Sequence, residues 1–280
     1  MHEAATPWMM AVNGDPFDPE PSTNWVPTLA MLVIAPPVML LAPFVIVFSA
    51  ISKAFSQWWA KALVHNVGMP ILHAVMAEPF GRVMSSKCKG RVLDLGCGVL
   101  PHSKHYQTID AVTEVVALEP NPQCHAALRA KAAAAKDYTI TISSTPIAEE
   151  QSASFDTVVL SFVMCEHPNY EQLPMEAMRV LKLGGCVIFQ EHIGSEKGTF
   201  MRKFQNAVQP AWYLLSDGCH CNREQKRCME AQPWEATFSR IYDFPILARM
   251  TLFPHIPKVY KPLFTGFDNC LFIKKYTQLS

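Results

Sequence analysis

The pattern of apolar and polar residues sets the N-terminal part of the chain apart from the rest. From Pro21 to Ser52 no residue is charged, and the run from Trp25 to Ile51 is apolar on every face. As a straight helix this run would extend roughly 40 Å, which exceeds the roughly 30 Å hydrocarbon core of a bilayer. A buried core helix is rarely so long, and a cleaved signal peptide has a basic leader, whereas the leader here is acidic. We therefore predict a hydrophobic membrane anchor over residues 25–52.

Four prolines interrupt the predicted anchor, and Pro36 and Pro37 fall near its middle. Because proline kinks a helix, two geometries stay open: a kinked single span, or a hairpin that enters and leaves one leaflet. In a span, Lys53 and Lys61 favour a cytosolic C-terminal side, and in a hairpin both ends are cytosolic. Residues 1–24 form an acidic, proline-containing tail. Residues 53–86 form an amphipathic connector, either interfacial or packed on the following domain.

After Lys87 short β-rich runs alternate with helical stretches. This alternation is typical of βαβ units and predicts an α/β domain over residues 87–280 with a doubly wound, mostly parallel sheet. Strands are predicted at 91–95, 114–118, 139–142, 155–163 and 186–190, with two late strands near 237–243 and 269–274. Helices are predicted to begin at Asn121, to end at Gly184 and Gly185, and to cover about 199–215.

The composition narrows the classes of function. The chain has 24 basic and 24 acidic residues, so it lacks the basic excess of a duplex-DNA binder, and no nucleic-acid partner is predicted. The nine cysteines are odd in number and lie mostly in apolar runs, which indicates buried thiols rather than a disulfide framework. Cys219, His220, Cys221 and Cys228 match no standard zinc spacing, so we predict no metal site. Nothing indicates an obligate protein partner.

Candidate chemistry lies where the predicted strands end, because ligands of parallel sheets bind outside the carboxyl ends of the strands. Asp94, Gly96 and Gly98 follow the first strand, and both glycines let the backbone approach a ligand. Glu119 follows the second strand, where a carboxylate can accept both hydroxyls of a ribose. The third glycine of a dinucleotide motif is missing after Gly98, and no P-loop exists. These features predict an adenosine-containing cofactor without phosphates.

Four ordered motifs carry a family resemblance across residues 91–190: VLDLGCG, VVALEPN, FDTVVLSFVMCEH and MRVLKLGGCVIF. They resemble the motifs of class I S-adenosylmethionine-dependent methyltransferases. The resemblance implies a Rossmann-like sheet of seven strands, with S-adenosyl-L-methionine as cofactor. Downstream, QEHIG, QPAWYLLSDGCHCNRE and a late PHI resemble the membrane-anchored methyltransferase-like proteins of the endoplasmic reticulum and lipid droplets, which are alkyl thiol S-methyltransferases. This second resemblance implies a cytosol-facing domain at one of those membranes and a small lipophilic thiol as acceptor, beside membrane lipid.

The resemblance also assigns roles to single residues. It implies that Asp94 orders the glycine loop and meets the methionine amino group of the cofactor, while Glu119 holds the ribose hydroxyls. Phe162 and Val163 end the fourth strand and either flank the sulfonium or pack in the core. Asn121 is a candidate cap for the next helix. The implied cofactor-binding residues are Asp94, Gly96, Cys97, Gly98, Glu119, Pro120, Asn121, Phe162 and Val163.

A catalytic base would raise the thiolate fraction of a thiol acceptor, although positioning supplies most of the catalysis. His192 follows the fifth strand, and Asp217 lies in the SDGC stretch. We interpret either residue as base or orienter, with a purely structural polar role as the alternative. Leu100 departs from the family pattern, because it stands where the motif often has a third glycine. The segment Pro245–Phe264 is either a lid, a bilayer contact or a crossover before the last strand.

The resulting prediction is a membrane-associated methyltransferase that acts on the thiol of small lipophilic molecules. A lipid, a quinone precursor or arsenite is the alternative acceptor, and arsenite would need Cys165, Cys219 and Cys221 to converge. A non-catalytic membrane or lipid-droplet protein with a decayed cofactor site is a further alternative. The intact residues Asp94 and Glu119 count against that last hypothesis.

Overall fold

The computed structural model describes residues 26–59, 62, 67, 80–216, 218–242 and 267–274. Its strands form one sheet in the order β3-β2-β1-β4-β5-β7-β6. The strands are β1 (Gly90–Leu95), β2 (Val112–Leu118), β3 (Thr139–Ser143), β4 (Phe155–Ser161), β5 (Leu181–His192), β6 (Trp234–Tyr242) and β7 (Phe267–Lys274). Strands β1 to β5 are parallel, and β7 runs antiparallel to both β5 and β6. The predicted α/β fold with a doubly wound parallel sheet is confirmed.

Helices cover both faces of the sheet. The helices of the described residues are α1 (Val26–Ile51), α2 (Lys53–Trp59), α3 (described at residues 80–87), α4 (Ser103–Tyr106), α5 (His125–Ala134), α6 (Leu173–Val180), α7 (Phe200–Leu215) and α8 (Gln225–Glu230). One apolar core joins the sheet to residues of α3, α4 and α5, and the other joins it to α6 and α8. The strand order reverses between β1 and β4, which makes their carboxyl ends the expected ligand edge.

Two element boundaries differ from the sequence prediction. The helix expected to end at Gly184 and Gly185 ends at Val180, because β5 begins at Leu181 and the two glycines form an irregularity between paired residues of β4 and β5. A Cβ at Gly185 would lie 2.9 Å from the backbone oxygen of Asp156, so the bulge requires glycine there. Strand β4 ends at Ser161, because Phe162 has a φ of 55°.

The N-terminal helices pack beside α7. Helix α1 runs from Val26 to Ile51 without a break, so the hairpin geometry with a turn at Pro36-Pro37 is not observed. The side chain of Ser52 accepts a hydrogen bond from Phe55 N (3.2 Å) at the start of α2. Helix α1 contacts α7, and Trp59 Nε1 donates to the Leu215 carbonyl at 3.1 Å.

The described residues test the membrane predictions only in part. Among the residues that the structure describes, no helix is long and apolar enough to cross a membrane. The predicted tail over 1–24 and the Pro245–Phe264 segment lie outside the described residues. Of the predicted connector over 53–86, the structure describes helical residues at both ends. The membrane anchor over 25–52 therefore stays a prediction.

Candidate active site

The glycine loop after β1 and the acid after β2 meet at the carboxyl edge of the sheet. The buried Glu119 carboxylate accepts hydrogen bonds from two backbone amides, Gly98 N to Oε2 at 2.8 Å and Asn121 N to Oε1 at 2.8 Å. A carboxylate oxygen can accept more than one hydrogen bond, so both oxygens keep capacity for hydroxyl donors. The structure thus brings Glu119 and the glycine loop together, while their binding role stays a prediction.

The two glycines of the loop serve different purposes. Gly96 and Gly98 have φ values of 61° and 54°, a region that disfavours side chains. A Cβ at Gly96 would lie 2.6 Å from Val163 Cγ2, whereas a Cβ at Gly98 would meet no atom within 4 Å. The space beside Gly96 is therefore filled by a protein side chain rather than by a ligand. Of these two glycines, only Gly98 faces open space of the kind that a cofactor could occupy.

Asp94 is buried at the end of β1, with a partner that sequence reasoning missed. Its Oδ2 accepts a hydrogen bond of 2.8 Å from the Tyr106 hydroxyl. Burial raises the pKa of the Asp94 carboxyl to about 7, the Tyr106 hydrogen bond opposes this rise, Glu119 adds to it, and Lys131 opposes it. The hydrogen bond described for the Asp94 carboxyl thus comes from helix α4, and the predicted role of Asp94 at the glycine loop and the cofactor stays a prediction.

The remaining predicted cofactor residues flank this edge in several ways. Asn121 Oδ1 accepts from Gln123 N at 3.0 Å, so the predicted cap is confirmed, although it caps a short 3-10 turn ahead of α5. Pro120 is exposed between Glu119 and Asn121. Cys97 is buried, and burial raises the pKa of its thiol well above the ordinary range. Phe162 is buried in a left-handed conformation, and its N–H donates to the Gln190 carbonyl at 2.9 Å.

A second acid near the site, Glu191, was not predicted. It is fully buried near the end of β5, and its Oε1 accepts from Val163 N at 2.6 Å and from Met164 N at 2.5 Å. These bonds fix the turn after β4 that places Val163 against Gly96. The only signal in the sequence was an acid following the apolar strand CVIFQ within the QEHIG motif.

The segment 218–224 packs on the same turn from the other side. The ring Nδ1 and the backbone N of His220 both lie within hydrogen-bond distance of the Cys165 carbonyl, at 3.1 and 3.0 Å. Arg223 donates to the carbonyls of Met164 and His167 at 2.7 and 2.8 Å. This segment therefore lies next to the turn after β4.

Helix α7 holds the segment 218–224 with three long polar side chains. Arg202 donates to the carbonyls of Ser195 (2.6 Å) and Asn222 (2.5 Å), and lies 3.2 Å from a Glu224 oxygen. Gln205 Nε2 donates to the Cys221 carbonyl at 2.6 Å. Gln209 bonds both sides of this segment: its Nε2 donates to the Cys219 carbonyl (3.2 Å), and its Oε1 accepts from Cys221 N (2.9 Å). None of these three residues was identified from the sequence.

Two of the buried thiols near this segment form a pair. The Cys165 and Cys219 thiols hydrogen-bond, and this bond together with burial raises the pKa of Cys165. The Cys221 thiol donates to Gln209 Oε1 at 3.3 Å. Across the described parts of the chain, no group of three or more His, Cys, Asp and Glu residues could hold a metal ion.

The predicted base is only partly visible. His192 is the last residue of β5, and its backbone pairs with Phe267 of β7, but its side chain is outside the described residues. Asp217 is outside them as well. The assignment of either residue as base or orienter therefore stays a prediction.

Comparison with known proteins is consistent with this geometry. Residues 93–189 match a family described as "Methyltransferase domain". The chain is 30% identical over 154 residues to human "Thiol S-methyltransferase TMT1A", a match covering 54% of this chain and 60% of the relative's length. It is 27% identical over 209 residues to human "Thiol S-methyltransferase TMT1B", covering 67% of this chain and 83% of that relative.

Solved structures show the same fold. The [4+2]-cyclase SpnF superposes with a TM-score of 0.52 at 15% identity, covering 72% of this chain and 82% of that one. The MccD protein superposes with a TM-score of 0.51 at 13% identity, covering 71% of this chain and 98% of that one. Because one of these chains is named as a cyclase, the fold alone does not define the reaction. The ordered motifs and the matched domain thus make the chain similar to methyltransferases, and in particular to the thiol S-methyltransferases TMT1A and TMT1B.

Proposed function

We propose that the protein binds S-adenosyl-L-methionine and transfers its methyl group to the thiol of a small lipophilic molecule at a membrane. One observation carries the cofactor assignment: the buried Glu119 carboxylate is fixed by Gly98 N and Asn121 N beside the open space at Gly98. A carboxylate held in this way is positioned to accept hydroxyls of a ribose. The matched thiol S-methyltransferases support the choice of acceptor.

The residues of the chain supply binding and orientation in this proposal. When bound, S-adenosyl-L-methionine supplies a methyl group activated by a positively charged sulfur. Glu119 holds the nucleoside end, and Asp94, near the other end of the loop, offers a carboxyl that ionises readily beside a positive charge. The turn at Val163, which is held by the hydrogen bond that Glu191 accepts from Val163 N, lies between the glycine loop and the segment 218–224. His192 or Asp217 would take the proton of the acceptor thiol.

The proposed location is the cytosolic face of the endoplasmic reticulum or a lipid droplet. It is supported by helix α1, which carries no charged residue and whose side chains Leu40, Phe44 and Val47 are exposed rather than packed against the protein. A lipophilic acceptor would concentrate in the same membrane. Fractionation of cells expressing the full chain tests the location, and recovery in the cytosol without membrane would contradict it.

The first experiment separates binding from transfer. The full chain in detergent or vesicles is titrated with S-adenosyl-L-methionine by calorimetry, and is then supplied with methyl-labelled cofactor and a straight-chain alkyl thiol. We expect binding, a labelled thioether and an equal amount of S-adenosylhomocysteine. Binding without transfer would remove the thiol as acceptor and promote the lipid, quinone-precursor or arsenite alternatives, which the same assay screens. An absence of binding would favour a non-catalytic protein with a decayed site.

A further inference from the structure

Helix α7 has its polar and apolar faces reversed relative to an ordinary surface helix. Its buried residues include Arg202 and Gln205, which are 8% and 2% exposed. Its exposed residues include Phe200 and Phe204, at 74% and 37%. A helix on the surface of a soluble domain normally turns its apolar stripe to the core and its polar residues to water. The reversal therefore needs a physical reason on both faces.

The inner face is explained by the contacts already described. Arg202, Gln205 and Gln209 form hydrogen bonds with the segments that flank α7, so their polar groups are satisfied without water. Because the inner face of α7 forms these polar contacts, Phe200 and Phe204 lie on the other side of the helix and do not pack in the core of the domain. The outer face is left with large apolar side chains that no ordinary surface helix would present to water.

The N-terminal helices that contact α7 also carry exposed apolar side chains. Helix α1 contacts α7, and Trp59 of α2 donates to the Leu215 carbonyl at the end of α7. We define the aromatic face as the exposed residues Phe44, Val47, Trp58, Phe200, Phe204 and Trp212. Its residues thus belong to α7 and to the two helices that contact α7, one of which is the uncharged helix of the proposed membrane association.

The charges around the aromatic face suit an anionic lipid surface. No acidic residue occurs between Lys197 and Leu215, and Lys203 is exposed in the first turn of α7. Lys197, which precedes the helix, is also exposed but pairs with Glu224 at 3.1 Å. Lys53 is exposed at the start of α2. Interfacial helices combine an apolar face, Trp or Tyr residues at headgroup level and flanking lysines.

We propose that α7 lies in the headgroup region of a phospholipid bilayer, with its aromatic face toward the acyl chains, as a second membrane contact beside α1. This inference rests on the membrane association proposed above and deepens it. Because the opposite face of α7 holds the segment 218–224 against the turn after β4, the acceptor side of the site is separated from the lipid by one helix.

The test labels the full chain from within the membrane. The chain is reconstituted in phosphatidylcholine vesicles containing phosphatidylserine and a phospholipid with a photoactivated diazirine on its acyl chain. After irradiation and trypsin digestion, we expect lipid adducts on the peptide over 204–223 as well as on peptides of α1. A double variant, Phe200→Ser with Phe204→Ser, should reduce the adducts on that peptide on the order of tenfold, because two aromatic side chains leave the apolar phase.

Matched controls identify what covers the aromatic face. Met175→Ser, a change at a 56% exposed residue of α6, should leave the labelling of the 204–223 peptide unchanged. Vesicles without phosphatidylserine should lower it, by about fivefold for each lysine at the surface. Adducts confined to α1 would overturn the proposal, and so would crosslinks that join the 204–223 peptide to a second copy of the chain instead of lipid.

The proposal and the proposed function fail separately. Cofactor binding and methyl transfer to a straight-chain alkyl thiol are measured on the same vesicles. Lipid adducts on the 204–223 peptide without transfer would overturn only the acceptor assignment. Transfer without those adducts would overturn only the membrane contact of α7.

Discussion

The proposed cofactor edge of the sheet and the segment 218–224 beside it, which is the proposed acceptor side, are held by different kinds of contact. At the cofactor edge, one carboxylate binds backbone amides of two loops, and a missing side chain at Gly96 admits Val163. On the acceptor side, three long side chains of α7 reach across to carbonyls of a separate segment. The first arrangement depends on backbone conformation and tolerates little change. The second depends on side chains, so it can be altered while the cofactor edge stays intact.

The sharpest way to break this difference is to remove Arg202. Arg202→Leu should destabilise the fold by about 3–5 kcal/mol, because a buried charge partner of Glu224 and two carbonyls is lost. Methyl transfer should fall, while cofactor affinity in the folded fraction stays within about twofold. Denaturant unfolding and calorimetry measure the two effects.

The matched control for Arg202 is Lys197→Leu. Lys197 pairs with the same Glu224 at 3.1 Å but is 70% exposed, so its removal should cost less than about 1 kcal/mol. If cofactor affinity in Arg202→Leu falls in parallel with transfer, the two sides of the site are not independent.

The corresponding change on the cofactor edge is Glu119→Ala. It removes the acceptor of two backbone amides and, in the proposed function, of the ribose hydroxyls. Since a hydrogen bond to a charged group contributes about 1.5–3 kcal/mol, affinity for S-adenosyl-L-methionine should fall about 100-fold. Glu119→Gln keeps the shape and one acceptor and should lose about tenfold. Calorimetric binding to Glu119→Ala as tight as to the wild type would place the nucleoside elsewhere.

The two glycines of the loop provide a matched pair for the same edge. Gly96→Ala should lower the unfolding free energy by about 2–4 kcal/mol, because φ is 61° and the new Cβ meets Val163. Gly98→Ala should cost only about 1–2 kcal/mol, from its φ, but should lower cofactor affinity about tenfold or more. Thermal unfolding without cofactor and titration with it separate these effects.

The glycine comparison has its own internal check. Combining Gly96→Ala with Val163→Ala should restore part of the lost stability, because the smaller side chain makes room for the new methyl group. A Gly98→Ala variant with wild-type cofactor affinity would show that the open space at Gly98 is not the cofactor site.

The smallest expected effect is a dependence on pH that belongs to the cofactor edge alone. A cationic cofactor favours the ionised Asp94 carboxyl, whose pKa is about 7 in the free protein. Affinity should therefore rise with pH by up to about tenfold per unit below pH 7 and level off above it. Asp94→Asn should flatten the profile, and an unchanged profile in that variant would assign the titration to another group.

The same raised pKa fixes the sign of a stability effect. Between about pH 4 and pH 7 the unfolded chain has already lost the Asp94 proton while the folded chain keeps it. The unfolding free energy contributed by this group therefore falls as pH rises through that window. Denaturant unfolding without cofactor, compared between wild type and Asp94→Asn, measures it.

The sequence predicted the parts of the site that follow from strand ends. Gly98 and Glu119 come after consecutive strands of a parallel sheet, so topology alone brings them to one edge. The cap at Asn121 also follows from local sequence. Tyr106, Glu191 and Gln205 were missed, because their partners lie 12 to 28 residues away or across another element, and such contacts leave no local pattern.

Two boundary errors have physical causes of the same kind. Gly184 and Gly185 look like a helix stop, yet they form a bulge because β5 must clear the backbone of Asp156. Strand β4 was predicted to include Val163, but the chain turns earlier because Glu191 accepts a hydrogen bond from Val163 N. In both cases a neighbouring strand, invisible to local propensity, decides the conformation.

Leu100 closes the glycine loop with a φ of 54°, its side chain fully buried and its carbonyl bound by Lys131 Nζ at 2.6 Å. A flexible glycine at this place would leave the loop free to adapt, whereas the leucine fastens it to the hydrophobic interior. The loop is therefore preorganised, and little conformational entropy is lost when a ligand binds to it.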